Sequence, residues 1–178
     1  QFTKLKKAKP NLRSYSLYPY LEYTEMVYRI SRQSEKDILA FAEQKSDTPL
    51  VEPLVQHWLK SLAKRNQWQT FLTYYESLVN AGKIATTKDL DCHYGFALHK
   101  NGLIEKAFNQ AQKLWLVGFS QPKACDPIFQ LWRGSDRVTR ELAWDRLALS
   151  LKENNKKLSN YLLRFIHKED KTLANNYR

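Results

Sequence analysis

The chain has 178 residues, 43% of them hydrophobic and 26% charged, which suits one compact domain or a string of small repeats and argues against disorder. Only five Gly and six Pro are present and mean hydropathy is -0.61, so collagen and a turn-rich β-sandwich fit poorly, and no apolar run approaches the roughly 18 residues of a membrane span. Lys and Arg number 29 against 18 Asp and Glu, a formal net charge of +11 at pH 7, and this excess favours an anionic partner.

At the start, Lys4, Lys6, Lys7, Lys9 and Arg13 precede the first acid, Glu22. This reads either as a basic arm for nucleic acid or as a solvated terminus. Position 1 is not Met and no apolar leader core follows, so the expectation is that a signal peptide has been removed or that the chain begins inside a longer protein. Ser34 with Asp37 three residues on has capping-box spacing ahead of Ile38 and Leu39, marking a helix start. Leu54, Val55, Trp58, Leu59 and Leu62 then lie on one helical face, as do Trp68, Phe71, Leu72, Tyr75, Leu78 and Val79. Ile104, Ala107, Phe108, Ala111, Leu114 and Trp115 repeat the period, and Leu158, Tyr161, Leu162, Phe165 and Ile166 do so again.

No segment alternates with period 2, so the predicted fold class is all-α. Gly82 and Gly102 stand where helices would end in a left-handed residue, and Pro49, Pro122 and Pro127 near helix starts. These breaks give roughly nine helices of about 10 to 18 residues, joined by short connections into antiparallel hairpins. Gly95, Gly102 and Ala107 have the separations expected where two helices of a tetratricopeptide-like hairpin approach closely. No second copy follows, so the hairpin is diverged and the architecture is part of a helical solenoid.

The residues offer little chemistry of their own. Cys92 lies early in one predicted helix and Cys125 at the start of the helix after next, a placement open both to a disulfide and to two free thiols. Neither CxxC spacing nor an i, i+4 pair among His57, His93, His99 and His167 suggests a metal. No nucleotide-binding, P-loop or nucleophile motif occurs, so no cofactor and no autonomous active site is expected.

Leu17-Tyr18-Pro19-Tyr20-Leu21-Glu22-Tyr23, then Leu114-Trp115-Leu116, Ser120-Gln121-Pro122 and Ala124-Cys125-Asp126, with Phe129 and Trp132, closely resemble the amino-terminal helical region of the soluble lytic murein transglycosylases. The resemblance runs with gaps from about residue 11 to beyond 151. It implies that residues 1–178 are an amino-terminal segment of an α-superhelix, that Cys92 and Cys125 are disulfide partners, and that the location is the periplasm of a Gram-negative bacterium. Enzymes of this family cleave the β-1,4 bond between N-acetylmuramic acid and N-acetylglucosamine, leaving 1,6-anhydro-muramyl ends, through a carboxyl-terminal lysozyme-like domain. That domain's Glu-Ser signature continues with Gly-Leu-Met-Gln, and the chain has Glu76-Ser77 without the continuation. No catalytic residue is therefore expected in this segment. The implied partners are peptidoglycan glycan strands and a periplasmic protein, with no nucleic acid and no membrane span. The alternative is a helical-repeat module that binds protein. Tyr15, Tyr18, Tyr20 and Tyr23 either face sugars or lock the first helical turn around Pro19.

Overall fold

The computed structural model describes residues 9–177, so Lys4, Lys6 and Lys7 of the basic start lie outside the described residues. Within them the fold is all-α, as expected: ten α-helices and four short 3-10 helices. The helices are α1 (Tyr18–Tyr28), α2 (Glu35–Gln44), α3 (Val51–Lys64), α4 (Trp68–Asn80), α5 (Lys88–Lys100), α6 (Ile104–Trp115), α7 (Asp126–Arg133), α8 (Arg140–Lys152), α9 (Lys156–Leu162) and α10 (Lys171–Asn176). The expected nine helices of at least ten residues need correction, because α7, α9 and α10 have eight, seven and six. Around α9 the cause is visible. The apolar period runs on to Ile166, which is 3% exposed, but the helix stops at Leu162 and a turn continues the buried face. Periodicity reports which residues are buried, not how far the helix extends.

Local chemistry sets the helix ends. Ser34 and Asp37 form the predicted capping box: the Asp37 amide donates to Ser34 Oγ at 3.2 Å, and the Ser34 amide donates to Asp37 Oδ2 at 3.1 Å. The Ser34 hydroxyl also donates to Asp37 Oδ2 at 2.6 Å, and this bond first, then the one from the Ser34 amide, holds the Asp37 carboxyl below the usual carboxylate range. Thr87, Thr139 and Asn155 accept from the amides of Leu90, Leu142 and Leu158 and start α5, α8 and α9. Gly82 and Gly102 adopt φ of 64° and 78° after α4 and α5, where a Cβ would be strained. Asn66, Asp136 and Asn154 take the same left-handed turn, which their short polar side chains tolerate.

The chain divides into two compact units. Among the described residues, one comprises 9–67 with Tyr74–Ala85. Its core is built on α3, whose Leu54, Val55, Trp58, Leu59 and Leu62 are at most 2% exposed, and Trp58 meets Tyr74 edge to face at 5.0 Å. Each such side chain contributes roughly 1.5–3 kcal/mol by leaving water. In α1 no residue is fully buried.

The other unit comprises Trp68–Thr73 and the chain from Thr86 onward. Helices α5 and α6 form a hairpin across a three-residue connection. A Cβ on Gly95 would lie 3.3 Å from Gln110 Cγ and 3.5 Å from Ile128 Cγ1, so this position is at the close crossing of α5 on α6. Gly102 is not at the crossing: a Cβ there would meet nothing within 4 Å, and its role is the turn.

Candidate functional site

Trp115, the last residue of α6, is the centre of an aromatic cluster in the second unit. Its ring packs edge-on against Phe129, Trp132 and Phe165 at 5.5, 5.6 and 5.3 Å. The Arg146 guanidinium of α8 lies over the Trp115 ring, 3.7 Å from its centroid, a cation–π stack with little water around it. Arg146 is 3% exposed, and its Nε and Nη1 are buried without hydrogen-bond partners. Burial pushes its pKa down to about 10, Tyr161 partly opposing and Arg133 adding to the shift, so it remains a cation at neutral pH.

Trp115, Phe129 and Arg146 line a cleft of about 340 Å³. Arg133 borders it, donating from Nε to the Phe129 carbonyl and from Nη1 to the Tyr161 hydroxyl, both at 3.1 Å. Lys157 is a third cation there and Asp126 is the carboxylate. Trp115 Nε1 and Gln121 Oε1, from two further lining residues, are also buried and unpartnered. The arrangement therefore has more hydrogen-bonding capacity than its neighbours use. Its net positive charge suits an anion.

The surrounding structure holds the cleft in place. Cys92 of α5 is bonded to Cys125, and both are fully buried. This bridge fixes the chain immediately before Asp126 and one turn before Phe129. Gly118 allows the preceding loop to press on α8, since a Cβ there would lie 2.6 Å from the Leu149 carbonyl oxygen. Asn155 Nδ2 donates to the Gly118 carbonyl at 3.2 Å. Ser150 and Ser159, both buried, share a 2.9 Å hydrogen bond that fastens α8 to α9. Farther along α8, Arg140 makes a bidentate pair with Asp170, which also accepts from Trp144 Nε1 at 2.9 Å.

Other residues singled out in the sequence lie elsewhere. Glu76 is half-buried within α4. His93 stacks near Trp68 and Phe71, and His99 near Phe108, while His57 and His167 are exposed. Tyr15 and Tyr20 are 65% and 48% exposed beside the start of α1, and Lys9 sits 5.9 Å from the Tyr18 ring while pairing with Glu25 at 2.7 Å. The sequence reading missed Arg146 and Arg133. The available signal was an arginine directly before the apolar run Leu147, Ala148 and Leu149, a weak cue because arginines normally reach solvent.

No protein-family model matches the chain. The soluble lytic murein transglycosylase of Salmonella typhimurium is 32% identical over 165 residues, 93% of this chain and 25% of that protein. The crystal structure of the 70 kDa soluble lytic transglycosylase from Escherichia coli superposes with a TM-score of 0.82 at 28% identity, over 99% of this chain and 28% of that one. An inactive mutant of the lytic transglycosylase Slt from Pseudomonas aeruginosa gives 0.78 at 34% identity, over 92% of this chain and 26% of that one. Among the described residues no helix is long and apolar enough to cross a membrane. The chain is a homologue of the soluble lytic murein transglycosylases, spanning about a quarter of the length of the relatives it matches.

Proposed function

We propose that this chain is the amino-terminal helical segment of a periplasmic lytic transglycosylase, holding or guiding murein beside a catalytic domain that the segment itself does not supply. The observation that carries the reading is the superposition of 99% of the chain on the Escherichia coli enzyme at a TM-score of 0.82. The parent protein would cleave the β-1,4 bond between N-acetylmuramic acid and N-acetylglucosamine and close the muramyl residue into its 1,6-anhydro form. The segment's contribution is electrostatic. Murein carries lactyl and peptide carboxylates, and a chain with a formal net charge of +11 raises their local concentration. The buried Cys92–Cys125 bridge suits an oxidising compartment such as the periplasm.

Catalysis by the segment alone is not expected. A general acid must reach the glycosidic oxygen from a cleft with its proton retained, and Glu76 lies on a helix in the middle of α4 without the family's catalytic sequence around it. Incubation with purified sacculi tests both halves of the proposal. The chain should sediment with sacculi at low salt and be released as salt rises, because exposed charges are screened within about 8 Å at physiological ionic strength. Mass spectrometry should find no anhydro-muropeptides. Failure to sediment at low salt would remove the guiding role, and anhydro products that vanish in a Glu76→Gln variant would place catalysis in the segment.

A further inference from the structure

We propose that the cleft beside Arg146 binds the carboxylate end of a short peptide or N-acyl amino acid, a reading that does not depend on which larger protein the segment serves. A buried cation without a counter-ion is costly, and proteins keep one where an anion meets it. Arg146 has no carboxylate partner and no hydrogen bond among the described residues. Its Nε and Nη1 are sealed off, with the guanidinium lying on the Trp115 ring, which leaves Nη2 as the nitrogen directed to the cleft. Arg133 and Lys157 add two more cations, against Asp126 alone.

The unpartnered atoms narrow the ligand further. Gln121 Oε1 is an acceptor, which a bare carboxylate cannot satisfy but an amide N–H can. Gln121 can turn its amide toward the cleft, whereas Trp115 is held by three ring contacts. An N-acyl amino acid supplies both groups at once: a carboxylate for Arg146 and a neighbouring N–H for Gln121. Its side chain would lie along Phe129 and Tyr161. A volume of about 340 Å³ is at the lower end of the roughly 300 to 1,000 Å³ found for small-molecule sites and limits the occupant to one or two residues.

The test titrates the 178-residue chain with N-acetylalanine, its methylamide, acetate and inorganic phosphate, following the indole and guanidinium N–H signals by NMR. N-acetylalanine should bind saturably and shift the Trp115 and Arg146 signals. The methylamide should bind about tenfold more weakly or worse, as loss of a charge-assisted hydrogen bond implies. Arg146→Met should lose a similar factor, while Gln121→Met should weaken N-acetylalanine and leave acetate unchanged. If Arg146→Met fails to fold, the ligand series on the unaltered chain decides alone. Absence of saturable binding, equal binding of the methylamide, or phosphate binding as tightly as N-acetylalanine would each overturn the proposal. Binding to this chain but not to a longer parent protein would assign the cleft to a carboxylate of the parent and overturn the free-ligand reading.

Discussion

The cavity lined by α2 and α3 in the first unit has about 800 Å³, and the cleft beside α8 in the second about 340 Å³. The larger one is walled by Leu39, Val55, Leu78 and Ile84; of its two carboxylates Glu43 is exposed to solvent, and Glu52 is engaged, accepting from the Ala85 amide at 2.9 Å and from Gln56 Nε2 at 3.2 Å. The smaller one has a buried arginine, an indole N–H and an amide oxygen with no partners. The difference teaches that volume alone is a poor mark of a site. A cavity whose polar groups are bonded or solvated has little chemistry to offer a ligand, whereas a smaller cleft with buried, unmet hydrogen-bonding capacity does.

Four perturbations sharpen this contrast, beginning with the largest. Trp58→Ala should cost about 3–5 kcal/mol in urea unfolding, because Trp58 is 1% exposed in the apolar core of the first unit. A loss under about 1 kcal/mol would mean that this core is not tightly packed. Replacing Cys92 and Cys125 together by Ala should cost about 3 to 4 kcal/mol, the chain-entropy value for a bridge across 33 positions. Intact mass after alkylation without reductant should find no free thiol in protein matured outside the cytosol, and two alkylated thiols would contradict the bridge and the oxidising compartment together.

Gly118→Ala should cost about 1–3 kcal/mol through overpacking against the backbone of α8, and should disturb the NMR signals of Gln121 beside the cleft while leaving the first unit's core unchanged. The smallest effect is that of Asp170→Asn, and it depends on pH. Hydrogen bonds from Arg140, then from Trp144, hold the Asp170 carboxyl below the usual range. The stabilisation is therefore complete above the unfolded carboxyl's pKa of about 3.9 and is lost as pH falls through the lower folded value. Melting curves of the two proteins should differ at neutral pH and converge in acid. A difference that persisted to low pH would show that the effect is steric.

Much of the fold was legible because helices bury one face with a regular period. The five residues read from α3 are all in the core, and the Ser34 box and the two left-handed glycines formed as their spacing implied. Other helix ends were less visible. Thr87, Thr139 and Asn155 each stand three residues before a leucine, but Thr and Asn also occur freely in turns, so only the Ser34 pattern with its reciprocal acid was distinctive. Asn66, Asp136 and Asn154 hid in the same way behind the more obvious glycines. The cleft was hardly legible at all. Trp115, Ser120, Gln121 and Asp126 were noted as residues carrying a family resemblance, yet Arg133 and Arg146 join them only through the tertiary packing of α6, α7 and α8, which no local periodicity encodes.

Arg146 is kept at an energetic cost for an anion it is built to meet. Urea denaturation of the unaltered chain beside Arg146→Met, at neutral pH and without added anions, tests this most directly. Met keeps an apolar stem against the Trp115 ring and removes the buried charge. The variant should show a higher midpoint with an unchanged m-value, a gain on the order of 1 to 3 kcal/mol after the lost cation–π contact is deducted. A midpoint lowered by about 1 kcal/mol or more would show that the guanidinium is already satisfied in the folded chain, and would contradict the claim.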